Sequence, residues 1–290
     1  PNPPTMGRIE NIEVEPVLWA IDPDASQSVG TPQNGRLIGG LKLPSIPAIE
    51  VLKPTLKRGW LWGTSELISL VHDTAIMVAR EHGAVPMRIG NLSRQGGGDI
   101  SVSVSHNSGR DVDIGFYLID SRGASASWPT MLRCDQAGVV QHPQKAHGLR
   151  FDTARNWTLI SQLLSHPAVV VQWIFVAAPL RNMLLDHALR AGAPASLRQR
   201  AQQVMVQPSD SSAHDDHFHV RIACPSEDKP ACLSGPGRTK LAREAQIDAL
   251  LQMYRQGSPA EKRYATEILS LPSDGADLVL PPIETAGSSK

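Results

Sequence analysis

Apolar residues recur along this chain with two periods, and each change of period marks an element. Between Thr64 and His82, the residues Leu67, Ile68, Val71, Ala75 and Val78 fall three and four apart. That spacing predicts a helix over residues 64–82, with Thr64 or Ser65 as N-cap and His82-Gly83 at its end. Asp152 to Leu164 predicts a second amphipathic helix, and residues 179–191 and 195–206 two more. Elsewhere apolar and polar positions alternate. Residues 101–105 and 111–119 read as strands, the second with Val112, Ile114, Phe116 and Leu118 opposite Asp111, Asp113, Gly115 and Tyr117. Residues 85–90 predict a short strand, and Val169 to Ala177 a buried one. From 217 the chain alternates again, and residues 217–223 are expected to close the sheet. Phe218, Val220 and Ile222 face a core, which leaves His217, His219 and Arg221 together on the other face.

These elements predict an α+β fold: a small antiparallel central sheet flanked by helices and long loops. Residues 1–35 are Pro-rich and expected to be extended. After about residue 236 the character changes. Thr239 to Gln256 and Pro259 to Leu271 predict a polar helical hairpin, and the tail from Pro272 is poor in aromatics. The expected division is therefore a main domain over 1–235 and a helical appendage over 236–290.

Composition narrows the class. The chain has 290 residues, with 23 Gly and 23 Pro, which suits a loop-rich α+β protein better than a helical bundle. Basic and acidic residues balance at 28 each, so no global field favours nucleic acid, and no nucleic-acid motif is present. No apolar run approaches about 20 residues, so no membrane-spanning segment is expected. The sequence starts at Pro1 without an initiator methionine, which predicts a processed, exported form, periplasmic or secreted. Export permits a disulfide between Cys224 and Cys232, which bracket a short loop behind the last strand. Cys134 is left over.

The chemistry concentrates in His214-Asp215-Asp216-His217-Phe218-His219, where three of the ten histidines fall within six positions. His217 and His219 side by side on a polar face suit a transition metal. Further ligands come from one other place. Asn107, Ser108 and Gly109 make a tight turn, with His106 at its mouth and Asp113 on the strand that leaves it. Two histidines and one carboxylate, with a fourth position left to water, form the ligand set of a catalytic zinc site rather than a structural one. Asp111 reads as a solvated carboxylate or a partner to a ligand. Asp215 and Asp216 read as loop charges, one of which could orient an imidazole. Arg221 reads equally as a bidentate clamp for a substrate carboxylate or as one half of an ion pair. His147 lies in a loop ahead of Phe151 that could line a cleft, and Gly96-Gly97-Gly98 reads as a loop bordering it. Trp60 and Trp62 read as core and helix entry rather than a sugar platform. Gly-x-Ser-x-Gly, Cys beside His and His-Glu-x-x-His are all absent, which excludes the usual nucleophile signatures and a helix-borne zinc site.

The joint pattern of His106-x6-Asp113 and His217-x-His219 resembles the lysostaphin-type and D-Ala-D-Ala-type metallopeptidase group, and most closely the penicillin-insensitive murein endopeptidases. The likeness runs over residues 24–235. It includes Ala25 to Gly30, Asn34 to Gly40, the stretch Ile89-Gly90 to Gly98, Ser105-His106-Asn107-Ser108-Gly109-Arg110-Asp111-Val112-Asp113-Ile114, Phe151 to Trp157, Ile174-Phe175-Val176 and His217 to Arg221. The resemblance implies one zinc ion per chain, ligated by His106, Asp113 and His219. His217 would stand beside the metal as a proton-transfer or oxyanion-stabilising group, and His214 would line the site. The implied substrate is the cross-linked peptide of bacterial peptidoglycan, cut between D-alanine and meso-diaminopimelate. One departure stands out: Ser103 occupies a position where the family carries histidine, which touches the substrate side rather than the ligands. The same ligands would serve a D,D- or L,D-carboxypeptidase, and a wall-binding protein without turnover would share the fold.

Overall fold

The computed structural model of the protein describes residues 19–83, 85–141, 148–208, 212–234 and 250–269. His147 and much of the expected helical hairpin lie outside them. The chain falls into two compact units, Pro1–Pro236 and Gly237–Lys290. In the second unit residues 250–256 and Pro259–Leu269 are helical.

The first unit begins with a hairpin, β1 (Gln27–Gly30) against β2 (Gly35–Ile38). Next come β3 (Leu41–Lys42), β4 (Ile49–Val51), α1 (Lys53–Arg58), β5 (Trp62–Gly63), α2 (Ser65–His82) and β6 (Met87–Ile89). After a long loop follow β7 (Asp111–Gly115), β8 (Leu118–Ile119), β9 (Ser125–Ala126), β10 (Arg150–Phe151), α3 (Thr153–Leu164) and β11 (Val171–Phe175). The unit continues through α4 (Ala178–Arg190), α5 (Ala195–Val204), β12 (Met205–Val206) and β13 (His217–Ile222). Thr64 caps α2 by accepting from the Leu67 N–H, and Asp152 caps α3 by accepting from the Arg155 N–H.

The fold is α+β, but the sheet is larger than expected and not purely antiparallel. Six strands lie in the order β12-β11-β13-β7-β6-β4. The inner four pair antiparallel, while β12 joins β11 and β4 joins β6 in parallel. Parallel neighbours need a crossover, and helices supply both: α1 and α2 lie between β4 and β6, and α4 and α5 between β11 and β12. β13 does not close the sheet; it lies inside it, between β11 and β7.

Two expected strands differ in detail. Residues 101–105 are turn and loop, because their alternation has no core to face: Val102 and Val104 are 51% and 74% exposed. The stretch 111–119 breaks after Gly115. There the Asn156 carboxamide takes over the backbone bonds of Tyr117, accepting from its N–H at 3.0 Å and donating to its carbonyl at 2.8 Å. The core lies on one face of the sheet, where Phe218, Val220, Ile222, Val112 and Ile114 pack with Leu67, Ile68 and Val71 of α2 and Leu159 and Ile160 of α3. The other face carries the polar residues of β7 and β13, with the loops bearing His106 and His214 folded over it.

Candidate metal centre

Register assembles the site. His219 pairs with Asp113 on one side and Phe175 on the other, so the three stand in a row across β7, β13 and β11. The next row is Asp111, Arg221 and Trp173, and His217 stands opposite Gly115. Directly paired residues of antiparallel strands project from the same face, so these side chains converge.

Asp113 is the hub. Its Oδ1 lies 3.2 Å from His106 Nε2, 3.2 Å from His219 Nδ1 and 3.5 Å from His217 Nε2. The other oxygen is engaged elsewhere, since Asn91 Nδ2 donates to Oδ2 at 3.0 Å. Gly90 lets β6 and β7 come this close. A Cβ there would fall 2.9 Å from the Asp113 Cβ and 2.5 Å from Met131 Cε.

His106 reaches the hub from a strained turn. Its φ is 72°, in the left-handed region that a residue with a Cβ seldom adopts. Neighbouring groups hold it there. The Ser93 hydroxyl donates to the His106 carbonyl and accepts from the Gly109 N–H at 2.9 Å. Asn107 donates its N–H to the Pro32 carbonyl and its side-chain amide to the Gln33 carbonyl. The His106 ring is fully buried and packs edge-on against that of His219 at 4.7 Å.

His219 is oriented from behind. Its Nε2 lies 2.7 Å from Asp111 Oδ1, and a carboxylate only accepts, so Nε2 carries the hydrogen and Nδ1 faces Asp113. Arg221 Nε donates to the same Asp111 oxygen at 2.7 Å. Burial alone would raise the Asp111 pKa. The Arg221 guanidinium and His219 outweigh it and hold the carboxyl well below its usual range. Of the two roles open to Arg221, the structure shows the ion pair, with the guanidinium stacked over the Phe175 ring at 5.6 Å.

His217 and His214 complete the rim. His217 Nδ1 donates to Asp216 Oδ1 at 2.5 Å, so its Nε2 points toward Asp113. Burial disfavours the charged ring, but Asp113 and Asp216 push its pKa up to about 10. His214 takes the opposite course. Its Nδ1 donates to the Ser212 carbonyl at 2.8 Å, and burial followed by the neighbouring His217 lowers it to about 4. Arg133 pairs with Asp215 at 2.8 Å and thereby anchors this loop. Ser103 sits apart from the rim contacts, its Oγ 3.4 Å from that of Ser105. Cys224 and Cys232 are joined in a disulfide behind β13, and Cys134 is a buried free thiol.

The ligand atoms of His106, Asp113 and His219 lie within 4.8 Å of one another, as do those of His214, His217 and His219. The first group suits a cation best. His106 Nε2 and Asp113 Oδ1 are buried and lack any hydrogen-bond partner although they are 3.2 Å apart. Their lone pairs address a shared point rather than each other, and the donor set of two imidazoles and one carboxylate is one that zinc accepts.

Asn91 and Ser93 escaped the sequence reading. Their one trace was the stretch after Ile89-Gly90, which carried likeness without chemistry. The model of the penicillin-insensitive murein endopeptidase family matches residues 28–273, beyond the expected limit at 235. The proteins named penicillin-insensitive murein endopeptidase in Salmonella heidelberg (strain SL476), Salmonella arizonae and Salmonella typhi are each 27% identical to this chain over 222 residues. The alignments cover 74% of this chain and 74% of theirs.

Proposed function

The chain belongs to the penicillin-insensitive murein endopeptidase family, and we propose that it is a zinc-dependent hydrolase cutting the D-alanyl–meso-diaminopimelyl cross-links of bacterial peptidoglycan, in the periplasm or outside the cell. Membership in a peptidase family makes it a hydrolase; the metal, bond and location are our reading. The observation that carries the reading is the convergence of His106, Asp113 and His219, with unpartnered buried donor atoms facing one another. Among the described residues no helix is long and apolar enough to cross a membrane.

In this reading His106, Asp113 and His219 hold one zinc ion. When bound, zinc supplies Lewis-acid chemistry, making hydroxide available at about pH 7 and polarising the scissile carbonyl. The protein's own groups handle the protons. His214, kept neutral and donating through Nδ1, leaves Nε2 free to accept a proton. His217, held through Nδ1 by Asp216, presents Nε2 to the site and, as the imidazolium, stabilises negative charge on the attacked carbonyl oxygen and then protonates the departing amine. Asp111 and Asn91 keep the ligands in place and touch no substrate.

The test combines metal analysis with digestion of cross-linked muropeptide dimers. Purified protein should carry about one zinc per chain and split the dimers, and a strong chelator should abolish cleavage until zinc is restored. His219→Ala should lose both ion and activity. His217→Ala should keep the ion and lose roughly a hundredfold or more in kcat. Equal zinc loss in both variants would overturn the division of roles, and cleavage untouched by chelation would overturn the metal reading. Product masses separate endopeptidase from carboxypeptidase action.

A further inference from the structure

The sheet face that carries the metal-binding residues extends past them onto β11. Phe175 pairs with His219, and Trp173 pairs with Arg221 in the neighbouring row. The core side of β11 is Val171 and Ile174, both buried. Trp173, two residues from Phe175, shares its face by alternation, and the register shift between Val171 and Trp173 sends Val171, opposite Ile222, to the core side instead. The Phe175 ring lies 5.4 Å from His219 and 5.7 Å from His214. Trp173 leaves 36% of its surface exposed, whereas its row partners Arg221 and Asp111 are closed over. An indole open to solvent, continuous with a ring packed against two site histidines, extends the site as an aromatic shelf.

Distance selects what meets that shelf. Residues two apart along a strand stand about 6.7 Å from each other, and adjacent strands about 4.8 Å. Trp173 is one such step along β11 from Phe175 and one strand away from β13, so it stands about two extended peptide residues from the His219–Asp113 contact. A group there meets the peptide beside the cleaved bond, not a sugar several residues away. In the murein cross-link, the component with a long methylene run beside that bond is the diamino acid. Methylenes pack well on an indole face, while their charged ends remain in water.

We propose that Trp173, continued by Phe175, is a binding platform for the aliphatic diamino-acid side chain of the cross-linked stem peptide. The inference rests on the murein reading above and adds the residue that grips the substrate next to the reacting bond. Trp173 is a binding residue; it takes no part in proton transfer.

Steady-state kinetics on the zinc-loaded full chain test it, with two substrates: cross-linked muropeptide dimers bearing their disaccharides, and the same peptide dimers without sugar. Trp173→Ala should raise KM about tenfold for both substrates and leave kcat within about twofold. Zinc content and melting temperature should stay at wild-type values, and Trp173→Phe should restore most of the lost affinity. Where Ala lowers the melting temperature, Trp173→Thr serves as the small strand-compatible replacement. An unchanged KM would overturn the proposal. So would a rise confined to the sugar-bearing dimer, which would make the glycan the occupant, or a defect that Phe fails to rescue. Failure of wild-type protein to turn over either dimer would instead remove the functional reading, and the platform with it.

Discussion

Asp111 and Asp113 stand two apart on the same face of β7, both buried, and have different tasks because of what lies opposite. Asp113 faces His219 and offers Oδ1 to three imidazoles while Asn91 holds its other oxygen. Asp111 faces Arg221 and accepts from both that guanidinium and the far nitrogen of His219. A carboxylate behind a ligating imidazole fixes its tautomer and raises its basicity. Asp111→Asn keeps the shape but removes the charge that both donors use. It should weaken zinc binding about 10- to 100-fold, read by competition with a chromogenic chelator; unchanged affinity would show that His219 needs no such support. Strand periodicity showed in the sequence that these two carboxylates share a face. It could not show which had the histidine opposite, because that depends on the register against β13, about a hundred residues away. The same limit kept Arg221 open between clamp and ion pair. His217 and His219 were readable because their alternation with Phe218 and Val220 is local.

At the scale of elements, the site depends on a loop holding an unfavourable shape. The turn at His106 has no regular structure to stabilise it, and its left-handed residue costs on the order of 1 kcal/mol or more. Ser93 bridges both ends of the turn, donating to the His106 carbonyl and accepting from the Gly109 N–H, and it is fully buried. Ser93→Ala leaves a buried carbonyl and a buried N–H unpaired, which should cost about 2–4 kcal/mol of stability. Because the lost bonds set the position of His106, zinc affinity should fall together with the melting temperature; a drop in stability with zinc affinity intact would show that other contacts hold the turn. The long helices were readable from their apolar stripes and caps. The loop was not, since Ser-Val-Ser-Val-Ser over residues 101–105 satisfies the strand pattern but has no core beneath it. Nor were the parallel edges: β4 and β12 have three and two residues, too few for any period to register.

At the scale of the first unit, one cation ties distant parts of the chain to the back of the site. Arg110, fully buried and next to Asp111, donates to Ser28 Oγ on β1, to the Ile222 carbonyl at the end of β13 and to the Leu233 carbonyl past the disulfide. Ser28 in turn donates its N–H to Asp228 Oδ2 at 2.8 Å, inside the loop that the disulfide closes. Burial pushes the Asp228 carboxyl from its ordinary 3.8 up to about 6, and nearby Glu66 adds to the rise. A carboxyl with its folded pKa raised binds its proton more tightly in the native state than in the unfolded chain. The stability it contributes is therefore complete below about pH 3.8 and disappears as pH rises through about 6. Asp228→Asn keeps an oxygen for the Ser28 N–H and does not titrate. The two proteins share every other ionisable group, so the difference between their unfolding free energies isolates this one. That difference should move in favour of the variant between pH 4 and 7, by at most about 3 kcal/mol, and level off above. Paired denaturant titrations across that range measure it directly. A difference that stays constant with pH would mean that Asp228 is as well solvated as an ordinary surface carboxylate, and that Arg110 and the disulfide loop hold the hairpin to β13 without its charge.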